Sequence, residues 1–187
     1  MAVKGLRLSN TNACGWDEIP TKLLKWSVKV IAGVIAKLIN QSFRDGIFPD
    51  LLKYSEIKPI YKAGSLSEPG NYRPISLLCT ISKIYEKIIH LRLSHFLESN
   101  GKLCQEQFGF RKNLNTQAAL FSFLNNVVVA LDESQYSAGV FCDLSRAFDC
   151  VDHKLLLSRL HQRGVKGTAL SASPILFDKP EAENYQV

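Results

Sequence analysis

Residues 138–153, AGVFCDLSRAFDCVDH, set an apolar run against a carboxylate, and the fold turns on that junction. Residues 139–142 are β-branched and aromatic with no charge, the pattern of a short buried strand that ends at Asp143. Five residues on come Phe148 and a second acid, Asp149. An acid where a strand leaves a sheet stands at the rim at which α/β proteins handle metals and phosphates. The plainer alternative makes Asp143 the cap of the following turn and Phe148 a core residue. Within this strand Cys142 is expected to be a small buried thiol.

Outward from this stretch the chain alternates helices with a few strands, which argues an α/β or α+β layer fold. Upstream, residues 20–44 predict a long helix with Leu24, Val28, Ile31, Ile35, Leu38 and Ile39 on one stripe and Gly46 just past its end. Residues 54–62 predict an edge strand, because Pro59 cannot donate to a central ladder. The Gly/Pro-punctuated residues 63–71 predict a hairpin tip, and residues 72–78 the returning strand. A second helix is expected over 82–99 with Ile84, Ile88, Leu91 and Phe96 inward, closed by Gly101. A third follows from Asn115 or Thr116 as cap, with Leu120, Phe123, Leu124, Val127 and Leu131 as its face. A short helix capped by Asp152 carries Leu155, Leu156 and Leu160 ahead of Gly164.

Size and charge narrow the function classes. At 187 residues the chain buries roughly 70% of its unfolded surface if it folds as one unit. With 46% hydrophobic and 21% charged residues it has a globular composition. Net charge is +6, and the segment from Thr168 on holds three acids and one base, so the first 167 residues carry +8. A basic body suits a polyanion partner. The five cysteines form no CxxC pair and the four histidines no ligand spacing, which argues against zinc and for a reducing compartment. There is no apolar leader and no run near the roughly 18 apolar residues of a membrane span. An intracellular protein, of cytoplasm or nucleus and without membrane contact, is the expectation.

Four segments in fixed order, IKPIYKAG, NYRPISLL, QFGFRKNLNTQAAL and FCDLSRAFDCVDH, together resemble the reverse transcriptase domain of non-LTR (LINE-type, jockey-like) retrotransposons. ACGWDEIPTKLLK resembles that family's N-terminal approach to the fingers, so the resemblance covers residues 13–167 and leaves 168–187 as a divergent tail. It implies a right-hand polymerase architecture, here the fingers and the first part of the palm. It also implies RNA-directed DNA polymerisation, with an RNA template, a DNA primer and dNTPs as partners. Such phosphoryl transfer needs cations over the triphosphate and carboxylates holding two Mg2+ ions in line with the attack.

By resemblance, Arg73 forks onto the dNTP phosphates, with Lys62 beside it. The alternative for both is an ordinary solvated strand-edge charge. Phe110, Arg111 and Lys112 lie on the family's template path, where aromatic rings stack on bases; the alternative places Phe108 and Phe110 in the core. Gln107 and Thr116 are weaker candidates on the same path. Asp143 becomes the first metal-binding acid, with the backbone carbonyl of Leu144 as a second ligand. Phe148 becomes the ring that excludes a 2′-hydroxyl, and Asp149 orders the turn. The family's Gly-x-Pro-Gln-Gly segment and its Ala-Asp-Asp hairpin occur nowhere in these 187 residues. The metal site is therefore incomplete, and the expectation is a polymerase fragment inactive as an isolated chain. The alternatives are a non-catalytic nucleic-acid-binding remnant or an unstable pseudogene product.

Overall fold

The structure, a computed structural model, describes residues 11–144, 147, 148 and 150–171. Its elements are α1 (Thr21–Asp45), a 3-10 turn (Asp50–Leu52), β1 (Ser55–Tyr61), a second 3-10 turn (Pro69–Asn71), β2 (Tyr72–Leu78), α2 (Thr80–Ser99), α3 (Thr116–Asp132), α4 (His153–Gln162) and α5 (Thr168–Ser171). Among the described residues the fold is thus mixed, helices with one small sheet. It divides into two compact units, one of residues up to Ser94 together with those from Asp152 on, the other His95–Val151.

The core of the first unit forms where α1 and α2 present apolar stripes. Leu24, Ala32, Ile35 and Ile39 of α1 close against Phe48 and against Ile84, Tyr85 and Ile88 of α2, with Val28 and Ile31 half-buried beside them. Leu38, expected on this stripe, is exposed. Each helical residue turns about 100°, so Ile35 and Ile39 stay on the core side while Leu38 stands at the stripe's edge. Leu91 of α2, also expected inward, is exposed as well. Gly46 ends α1 in the left-handed conformation (φ 68°), the geometry a helix stop asks of glycine.

Buried polar groups join the two helix starts. Thr21 Oγ1 lies 2.9 Å from Thr80 Oγ1 and also meets the carbonyl of Ala13. Ser82 Oγ donates to the Leu52 carbonyl at 2.7 Å, and Cys79 Sγ accepts from the Ser82 N–H. Burial raises the pKa of the Cys79 thiol, so this sulfur caps α2 as a neutral group.

The sheet is one antiparallel hairpin, β1 against β2, with Ile60 opposite Arg73 and Tyr61 opposite Tyr72. Pro59 faces Pro74 across it. Two residues without N–H groups fit opposite each other only where the ladder makes no bond. The register obeys this, since three residues on the Lys62 N–H bonds the Asn71 carbonyl at 2.8 Å. The hydroxyls of Tyr61 and Tyr72 donate to the Gly64 and Leu66 carbonyls and tie down the hairpin tip.

α4 starts as expected, with Asp152 Oδ1 accepting from the Leu155 N–H at 3.0 Å. That bond, then the neighbouring Lys154 and His153, hold the Asp152 carboxyl below its ordinary pKa. A depressed folded value means the cap's contribution is intact above the unfolded pKa of about 3.9 and fades as pH falls through the folded value. Asp152→Asn keeps a capping oxygen and removes the titration. The melting temperature of the wild-type chain is therefore expected to fall more steeply than that of the variant below that pH; parallel acid titrations by circular dichroism would refute the cap.

In the second unit α3 begins at Asn115, whose side chain accepts from the Ala118 N–H at 2.8 Å. Its expected face is not buried: Leu120, Phe123, Leu124 and Leu131 are exposed and Val127 is half-buried. The strand expected over 139–142 is absent. Residues 137–144 form no ladder and Val140, Phe141 and Cys142 are exposed. The Phe141 ring lies 5.5 Å from that of Phe123, and a Cβ on Gly139 would come 2.9 Å from the same Phe123 ring. The run thus meets a helix side chain, which offers no backbone to pair with, and strand geometry has nothing to hold it.

Candidate nucleotide and template site

The hairpin collects positive charge on one side. Cross-strand partners share a face, and side chains alternate along each strand. In the observed register Lys58, Ile60 and Lys62 therefore share a face with Arg73 and Ile75, while Tyr61, Tyr72 and both prolines take the other. Lys62 and Arg73 are diagonal neighbours on the basic face, both exposed. Lys58 is held 3.5 Å from Glu56 on the same face. Among the described residues no carboxylate pairs with Lys62 or Arg73.

The second unit presents the aromatic candidates. Phe110 is 92% exposed and sits at φ 60°, a left-handed conformation that a bulky side chain rarely adopts. Its ring stands edge-on to that of Phe148, centroids 6.5 Å apart at 77°, and Phe148 is itself 82% exposed. Phe108 is half-buried. Arg111 turns back into its own loop, with Nη1 donating to the Cys104 carbonyl at 3.0 Å and Nε buried without an acceptor. The Cys104 thiol donates to Glu106 Oε2 at 2.6 Å, which lowers that carboxyl's pKa. Lys112 is exposed; Gln107 reaches the Gly109 carbonyl, and Thr116 is the first residue of α3. Sequence reasoning missed that Arg111 secures the loop. The one signal was a base seven residues after Cys104, which is too common to single out.

Asp143 is exposed, and its Oδ1 accepts the Leu144 N–H at 2.9 Å. Leu144 is exposed as well, while Asp149 and residues 172–187 lie outside the described residues. Two divalent ions need several oxygens each, in fixed geometry. Among the described residues no three of His, Cys, Asp or Glu gather to hold a metal. One carboxylate with a neighbouring carbonyl does not fit that pair of ions. No described helix is long and apolar enough to cross a membrane.

Comparison with known proteins agrees with the four motifs. The family described as reverse transcriptase (RNA-dependent DNA polymerase) matches residues 60–185. The chain is 35% identical over 158 residues to the probable RNA-directed DNA polymerase from transposon X-element of Drosophila melanogaster, 84% of this chain and 17% of that relative. It is 34% identical to the probable RNA-directed DNA polymerase from transposon BS of the same fly, over 85% of this chain and 17% of the relative. The RNA-directed DNA polymerase from mobile element jockey, again of Drosophila melanogaster, is also 34% identical, over 81% and 17%. The chain thus spans about a sixth of the length of the curated relatives it matches. Residues 60–78 of the hairpin, the loop that carries Phe110 and Arg111, and the Asp143 segment fall inside the matched residues, and the chain belongs to the reverse transcriptase family.

Proposed function

We propose that the chain is the fingers and first part of the palm of a retrotransposon RNA-directed DNA polymerase, residues 13–167, with 168–187 as a tail. The observation that carries this is the basic face of the hairpin, Lys58, Lys62 and Arg73, the last two inside the family match. Arg73 and Lys62 receive the dNTP triphosphate, the guanidinium by its fork and the ammonium as a point charge. Phe110, Arg111 and Lys112 meet the template, Phe110 by stacking and Lys112 through phosphate, with Arg111 keeping its bond to Cys104. Phe148 screens the sugar. Asp143 and the Leu144 carbonyl are the first metal ligands of the complete domain, whose ion is Mg2+. The natural setting is intracellular.

The full chain is expected to bind an RNA template annealed to a DNA primer, with log affinity falling linearly against log salt. Replacing Arg73 or Lys62 with alanine should each reduce that slope by about one, the mark of one lost phosphate contact. Arg73→Ala should weaken competition by free dNTP about tenfold, roughly 1.4 kcal/mol. Supplied with Mg2+ or Mn2+, the chain alone should not extend the primer. A flat salt response would sink the binding assignment, and primer extension would sink the claim that the palm is incomplete.

A further inference from the structure

α1 carries a second apolar stripe on its outward side. Leu23, Trp26, Val30 and Val34 recur at helical spacing on the side away from the core, Leu38 continues them at the edge of the core stripe, and all five are exposed, Trp26 at 70% and Val30 at 83%. A helix apolar on two opposite faces is one that is covered on both. This second stripe runs about 22 Å along the axis. It is also basic: residues 19–44 hold Lys22, Lys25, Lys29, Lys37 and Arg44 and no acid. Lys22 Nζ stands 5.1 Å over the Trp26 ring, and among the described residues none of the four lysines meets a carboxylate.

From these features we infer that the C-terminal segment, residues 172–187, docks on the outward face of α1. Three observations select it over other occupants. First, α5 (Thr168–Ser171) lies against α1, so the segment leaves the described structure beside that helix. Second, its sixteen residues reach up to about 53 Å when extended, more than twice the length of the stripe. Third, it is complementary in chemistry: Ile175, Leu176 and Phe177 form an apolar block, followed by Asp178, Glu181 and Glu183 against the single base Lys179. The other terminal segment, residues 1–10, carries Lys4 and Arg7 and no acid, and a basic helix repels it. The inference is independent of nucleotide or template binding.

The chain's two tryptophans make the test direct. In a Trp16→Phe background only Trp26 emits, and its quenching by acrylamide reports whether the stripe is covered. Adding Leu176→Asp and Phe177→Asp is expected to raise the quenching constant about twofold, the change in accessible area when half of an exposed ring is uncovered. High salt should move the intact tail toward the same value by screening its acids. On the receiving side, Val30→Glu with the tail intact should have the effect of the tail variant; this substitution lies on an exposed position and leaves the core alone. Equal quenching with and without the tail substitutions would overturn the inference. Protection of Trp26 that vanishes on dilution would overturn it too, and assign the stripe to a second copy of the chain.

Discussion

Tyr85→Ala is expected to lower the free energy of unfolding by about 3–5 kcal/mol, the cost of emptying an aromatic site in a packed core. Tyr85 is 2% exposed and stands edge-on to Phe48 with centroids 5.6 Å apart. Burial raises the pKa of its phenol, and the hydroxyl meets the Ser42 side chain near the end of α1. One side chain thus fills the space between α1, α2 and the Phe48 turn, and the buried cluster around it is small. Small domains have only about 5–15 kcal/mol in total, so this loss takes much of the margin. Tyr85→Phe separates the two contributions. It keeps the ring and should cost about 1 kcal/mol for the hydroxyl's bond. Urea titrations of the two variants settle the matter: if Tyr85→Ala shifts the midpoint no further than Tyr85→Phe, the ring is not packed as described.

Gly15→Ala is expected to destabilise the chain by about 1–3 kcal/mol through overpacking, with no loss of any contact. A Cβ there would stand 2.4 Å from the Cys79 N, 2.6 Å from the Leu78 carbonyl carbon and 2.8 Å from the Cys79 Cα. All three atoms are backbone at the passage from β2 into α2, so no rotamer change relieves the clash. Either the segment before α1 lifts away, or the start of α2 moves. Both outcomes strain the bond between Thr21 and Thr80, and the cost should therefore be less than additive with Thr80→Ala. Thermal melts of the two single variants and the double variant measure that coupling. Full additivity would mean that residue 15 does not press on this joint.

Local patterns made the helices and the hairpin legible. β2 starts at Tyr72 and ends at Leu78 as its pattern requires, because turn-forming residues and the start of a helix bound it. α1 and the caps at Asn115 and Asp152 depend only on near neighbours. Residues 139–142 were illegible for the opposite reason. Their composition suits a strand, yet a strand exists only with a partner, and the segment they meet is Phe123 of α3. The basic face of the hairpin followed from period two once the turn fixed the register. The inward turn of Arg111 did not follow, since a guanidinium that holds a loop and one that holds a phosphate look alike in sequence.

The facing prolines of the hairpin have a consequence for how such a chain survives in a crowded solution. Among the described residues this two-stranded ribbon has both edges unpaired, and it also exposes Ile57, Ile60 and Ile75. Such a ribbon is a template for stacking copy upon copy into fibres. At Pro59 and Pro74 the outward-facing amide that an incoming strand would need is missing from each edge at mid-length. A second ribbon could engage only a few residues on either side of that gap, too short a run to nucleate. The same two residues deny the rims to other protein chains while leaving the charged face uncovered.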